Sequence, residues 1–323
     1  MAIERFRDLC LAMDAAAMSN WKKIEHARRM GLKYDETTST QELLLTLQTE
    51  VSGLLTYQYT PQQETRSGAD WEWWLGSDEV GWICLRIQAK RVYEDYRYQM
   101  LSHHGAEEGT FQYDTLINGC DPDQARYGFH VFYNGWPEGT FEEGTHWAPP
   151  AEWNACPNRK SYKECGHVEP RHYGCAIISA AEVKRLSDGD MGKSVAERFR
   201  IQKYLSAAVP WSYALGFPPY TKNVEERWPR RLDRGDWVDR VHGTLEVLTR
   251  RGGVRGARDA SSHLGEIPIE REQRTFELPA YVEVMRSRTP GLFVPASEDE
   301  VPAAPQTVIV EQKRPRKRTL KQL

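Results

Sequence analysis

The sequence has no apolar run approaching the roughly 20 residues that a membrane-crossing helix needs. Its first ten residues, MAIERFRDLC, are charged where a secretory signal would be apolar. These two absences predict a chain without a membrane span, working in the cytoplasm. Cysteine is scarce, six in 323 residues, and none of it is spaced like a secreted disulfide framework, so free thiols are expected. No internal repeat is visible. A marked excess of charge is also missing. The net charge of −3 leaves nucleic acid open as a partner, because a local basic groove matters more than the total.

What is present is enough apolar material, 40% of the residues, to build one principal core with additions. Residues 4–30 read as a helix, with Phe6, Leu9, Cys10, Met13, Ala17, Trp21, Ile24, Ala27 and Met30 on an apolar stripe. A second helix is expected to start in the capping cluster 35–40, run through Leu43, Leu44, Leu47 and Val51, and end at Gly53. Three adjacent strands follow at 55–59, 70–75 and 82–91, punctuated by Gly76 and Gly81. Segments 92–100 and 111–120 have helical character, and 127–133 reads as a strand ending at the turn signal Asn134-Gly135. A further strand is expected at 173–179 and a helix at 180–186. The chain divides on this reading into an N-terminal helical segment (1–33), a core (34–135), an accessory layer of the same domain (136–217) and a charged C-terminal region (218–323). Within that last region, 250–259 and 302–323 are expected to be poorly ordered.

The strand 82–91 alternates in a telling way. Ile83, Leu85, Ile87 and Ala89 fall on one face, and Arg86, Gln88 and Lys90 on the other. A lysine and an amide on one face of an otherwise apolar strand are costly to bury without a partner or a task. Asp70, at the start of the preceding strand, is placed by hairpin pairing to bring a carboxylate beside them.

Gly68-Ala69-Asp70 followed by Gln88-Ala89-Lys90 resembles the signature of the PD-(D/E)XK nuclease superfamily. The strings GADWEWW and QAKR also resemble an uncharacterised bacterial family of that superfamily. The resemblance covers about residues 35–135. It implies an α/β, restriction-endonuclease-like fold with a mixed central sheet flanked by helices. It also implies metal-dependent hydrolysis of phosphodiester bonds in nucleic acid, DNA before RNA, with genome defence as a fitting setting. Mg²⁺ or Mn²⁺ would be the cofactor, held by Asp70, Gln88 and the backbone carbonyl of Ala89, while Lys90 would position water or stabilise the transition state. Gln88 stands where many members carry Glu, which removes one negative charge. The first core helix usually adds an acid, for which Glu36 is the choice, with Glu42, Glu50, Glu64 and Glu72 as rivals. Double-strand cutting often takes two sites, so the resemblance also admits a homodimer.

Other features carry less. Gln112 opens the second core helix, where a surface glutamine is the simpler reading. Trp71, Trp73 and Trp74 could stack on bases but read better as core packing. Cys156, Cys165, His167, His172 and Cys175 lack the close Cys-x-x-Cys pairs of a structural zinc site, and Cys175 reads as a small buried residue. The basic tail 313–318 could contact phosphates or simply be solvated. Two further readings keep the same fold. One is a catalytically inactive nucleic-acid-binding or scaffolding protein, and the other is a protein-binding surface on residues 136–217.

Overall fold

The structure, a computed structural model, describes Ile3 and residues 5–59, 68–102, 110–137, 170–215, 237–250 and 274–312. Helices α1 (Phe6–Arg29) and α2 (Glu36–Glu50) form where the apolar spacing places them. Asp35 caps α2, accepting the Thr38 N–H at 3.0 Å. Strands β1 (Leu55–Tyr59), β2 (Trp71–Ser77) and β3 (Gly81–Arg91) follow, then α3 (Gln112–Asn118) and β4 (Arg126–Tyr133). After β5 (Cys175–Ser179) and α4 (Ala180–Asp188) come four short elements: α5 (Val195–Arg198), α6 (Ile201–Leu205), β6 (Val209–Pro210) and α7 (Trp211–Ala214). The chain closes with α8 (Trp237–Arg250), α9 (Ala280–Arg286), β7 (Gly291–Phe293) and β8 (Gln306–Glu311).

Among the described residues, eight strands form one mixed sheet in the order β6-β5-β4-β3-β2-β8-β1-β7, with helices flanking it, so the fold is α/β with a mixed central sheet. Strands β2 and β3 are an antiparallel hairpin with Trp71 opposite Ile87 and Glu72 opposite Arg86. Strand β4 lies parallel to β3, with Gln88 opposite His130. A parallel neighbour demands a crossover, and α3 lies in it. The alternation read from β3 holds. Ile83, Leu85, Ile87 and Ala89 join the main core with α1 and α2, whereas Cys84 joins Trp74, Trp82, Tyr281 and Met285 in a second core under α9. Trp71, Trp73 and Trp74 are all buried. They are packing residues, each removing about 150–250 Å² from water, on the order of 4–6 kcal/mol.

Four expectations need correction. The first three strands are not all neighbours: β8 lies between β1 and β2, antiparallel to β1 and parallel to β2. Poor ordering from residue 302 therefore does not hold for Gln306–Glu311, because the short run Thr307-Val308-Ile309-Val310 finds a ladder partner on each side. Segment 92–100 is not a helix. Tyr93 N–H bonds Arg97 O at 3.0 Å, Tyr96 takes φ 59°, and only Gln99–Ser102 forms a 3-10 turn. Asn134-Gly135 makes no hairpin turn. Gly135 lets α1 approach instead, since a Cβ there would stand 2.5 Å from the Trp21 carbonyl oxygen. The expectations for 251–259 and for the basic tail 313–318 lie outside the described residues. Among the described residues, no helix is long and apolar enough to cross a membrane.

Candidate active site

Strand β3 outruns its hairpin partner. The ladder with β2 ends at the Trp71–Ile87 pair, yet β3 continues to Arg91, so the N–H groups of Ala89 and Arg91 lose a strand partner. Buried backbone donors must be satisfied, and two carboxylates do so. Asp70 Oδ2 accepts from Ala89 N–H at 2.7 Å, and Glu36 Oε1 accepts from Arg91 N–H at 3.2 Å. Asp70 arrives because it directly precedes β2. Glu36 arrives because it opens α2, whose Leu43, Leu44 and Leu47 pack into the core. Among the described residues, Asp70 Oδ1 and Glu36 Oε2 make no hydrogen bond, so each carboxylate keeps one oxygen for a ligand.

The far face of β3 adds a polar chain. Lys90 Nζ donates to Gln112 Oε1 at 2.8 Å, and Gln88 Nε2 donates to the same oxygen at 3.0 Å. Gln88 Oε1 lies 3.0 Å from His130 Nε2 on β4. Gln88, Lys90 and His130 are buried, so these bonds form where an unmade one is costly. Gln112 is thus part of the cluster rather than a bystander on the surface.

The electrostatics tie the groups together. Asp70 is exposed as a residue, yet protein packs closely enough around its carboxyl for desolvation to act on it. Desolvation pushes this carboxyl above the usual range, Lys90 and the Ala89 N–H pull it back, and Glu36 pushes it up again. Burial lowers Lys90 below an ordinary lysine, against the pull of Asp70 and Glu36. Burial, then the charge of Lys90, brings His130 down to about 3, so its imidazole is neutral near pH 7.

The rival acids are elsewhere. Glu42 pairs with Lys23 and accepts from Tyr34, Glu50 is exposed at the end of α2, and Glu64 lies outside the described residues. Glu72 is fully buried, accepting from Tyr281 at 2.5 Å with Arg86 4.0 Å away. Of the zinc candidates, Cys156, Cys165 and His167 lie outside the described residues. Cys175 is buried in β5 and its thiol is pushed up by burial, and His172 is buried as well. His130 escaped the sequence reading. The available signal was a lone imidazole within the apolar, aromatic run Phe129-His130-Val131-Phe132.

Among the described residues, no group of three or more His, Cys, Asp or Glu side chains could hold a metal. The donor set at Asp70 and Glu36 does suit Mg²⁺, which retains several waters and takes one or two carboxylates. It does not suit Zn²⁺, which wants a closed nitrogen and sulfur shell in structural sites. The Ala89 carbonyl leaves β3 on the same side as its N–H, toward Asp70, as the strand pattern requires.

The fold and cluster define a class: a mixed α/β protein with two carboxylates, a buried lysine and a buried amide gathered at the end of a central strand. Within it, the chain belongs to the Family of unknown function (DUF6615), whose family model matches residues 9–317. No curated protein matches the sequence.

Proposed function

We propose that the chain is a Mg²⁺- or Mn²⁺-dependent nuclease that hydrolyses phosphodiester bonds, with DNA as substrate. The observation that supports this reading is the convergence of Asp70, from just before β2, and Glu36, from the start of α2, on the Ala89 and Arg91 N–H groups that flank Lys90 at the end of β3. A divalent cation at Asp70 and Glu36, with the Ala89 carbonyl and water, would supply Lewis-acid neutralisation of the phosphate's charge. Asp70 is an exposed residue, so a phosphate can approach it. Lys90, held by Gln112, presents an ammonium from a poorly solvated position, where its field on a developing phosphorane charge is strongest. Gln88 keeps the site less negative than a third carboxylate would, which favours approach of an anionic strand.

A second reading has its own observation. Gln88 Oε1 is already engaged by His130, which leaves two carboxylates for the cation and favours a catalytically inactive nucleic-acid-binding protein. Purified protein incubated with supercoiled plasmid and with linear single-stranded DNA, in Mg²⁺ or Mn²⁺, separates the two. Cutting that disappears in Asp70→Ala, Glu36→Ala and Lys90→Ala establishes the nuclease. Tight DNA binding without cutting, in a folded wild type given either metal, supports the inactive binder. Light scattering on the same sample tests the homodimer that a double-strand cut would use.

A further inference from the structure

His130 takes no part in the chemistry proposed above, yet its surroundings constrain it tightly. It is fully buried, and its Nδ1 has no hydrogen-bond partner among the described residues. Its Nε2 meets Gln88, directly across the β3–β4 ladder, at 3.0 Å. Which of the two atoms donates is set at the other end of the chain of amides. The Lys90 ammonium has donors only, so the Gln112 atom 2.8 Å from it must be the oxygen. That oxygen also takes Gln88 Nε2–H at 3.0 Å. Gln88 must then turn its oxygen to His130, and an oxygen can be met only by N–H. The reversed chain, with a proton on Nδ1, would bring the Gln112 amide nitrogen against the ammonium, donor against donor. The orphaned Nδ1 is what remains when that clash is avoided.

We infer that His130 is a positioning residue, held as the Nε2–H tautomer, which locks the Gln88 amide and through Gln88 and Gln112 fixes the direction of the Lys90 ammonium. The consequence for catalysis rests on the nuclease reading, whereas the tautomer is a property of the protein alone. Metal-ligating histidines are commonly oriented by a partner on the second ring nitrogen. Here the imidazole is itself the orienting group, working on a lysine two amides away.

The test is long-range ¹H–¹⁵N NMR of the imidazole nitrogens in wild type, Gln112→Leu and Lys90→Met. The wild type is expected to show a neutral ring protonated at Nε2. Either substitution frees the amides to turn over, and the His130 signals should move toward a mixture of tautomers. An Nδ1–H ring in the wild type, or a spectrum unchanged in both folded variants, overturns the inference. Should neither variant fold, the wild-type tautomer decides alone. A kinetic arm uses His130→Leu and His130→Gln with plasmid and Mg²⁺. His130→Leu should lower kcat about tenfold with KM nearly unchanged, in the range known for residues that orient a reacting group, and His130→Gln, which keeps an N–H donor, should recover most of it. Equal loss in both variants counts against positioning. A wild type that cuts nothing counts against the nuclease reading and leaves the tautomer to judge the relay.

Discussion

Lys90 stands beside two carboxylates but hydrogen-bonds an amide, and this choice makes it available. A lysine locked in a close ion pair would be neutralised, whereas Lys90 is held by Gln112 Oε1 and acts on Asp70 and Glu36 through space. Lys90→Met and Asp70→Asn are therefore expected to stay folded and to lower metal-dependent cleavage by about 100-fold or more, checked by initial rates alongside circular dichroism. His130 makes a separate, measurable contribution to stability. Its pKa falls from 6.5 to about 3 on folding, so the unfolded chain binds one more proton between those values. The stability contribution is complete above pH 6.5 and is lost as pH falls toward 3. Urea unfolding of the wild type should lose stability across that window by about 1.4 kcal/mol per pH unit more than His130→Leu does. Equal slopes in the two proteins would show that the ring is not the acid-sensitive group.

At the scale of elements, the site depends on an inequality of length. Strand β3 is 11 residues long and β2 is 7, and the excess of β3 exposes the two N–H groups that collect Asp70 and Glu36. The hairpin that joins them fixes which end carries the excess, and it turns through glycines in unusual backbone. Gly76 has φ +153°, and a Cβ there would sit 2.2 Å from the Gly81 carbonyl oxygen. Gly76→Ala should cost about 2–3 kcal/mol or more by overpacking backbone against backbone, read as a drop in the urea midpoint. An unchanged midpoint would mean that the hairpin can open without disturbing the sheet. Much of this layer was legible in the sequence. The apolar stripe of α1, the capping cluster 35–40 before α2 and the alternation of β3 are local patterns that report directly on where elements start and which face is buried. The segment after β3 was not legible, because a turn stabilised by Tyr96 in left-handed backbone and a Tyr93–Arg97 hydrogen bond leaves no periodicity to read.

On the scale of the molecule, β8 decides whether the sheet is one piece. It joins β1 to β2, carries the fully buried Val308, Ile309 and Val310, and places Thr307 beside the buried Glu72. A chain ended at Pro305 would leave β1 and β2 with facing open edges. Such a chain should lose cooperative thermal unfolding by circular dichroism, and a sharp melt near that of the full chain would show that β8 is dispensable. The match to the family runs from residue 9 to residue 317 and so includes this strand, which is as much part of the sheet as the first.

The sequence by itself determined the local chemistry. It specified helices α1 to α4, the two-faced strand β3, the burial of Trp71, Trp73 and Trp74, and an Asp70 carried close to the end of β3 that bears Lys90. It could name Glu36 only as one acid among several, because residues 36 and 91 are brought together by packing of α2 on the sheet and not by any spacing along the chain. Only the tertiary structure decided that Gln112 and His130 complete the polar chain and that a distant strand enters between β1 and β2. Those contacts join segments far apart in sequence, and their partners are chosen by which buried donors and acceptors would otherwise go unpaired.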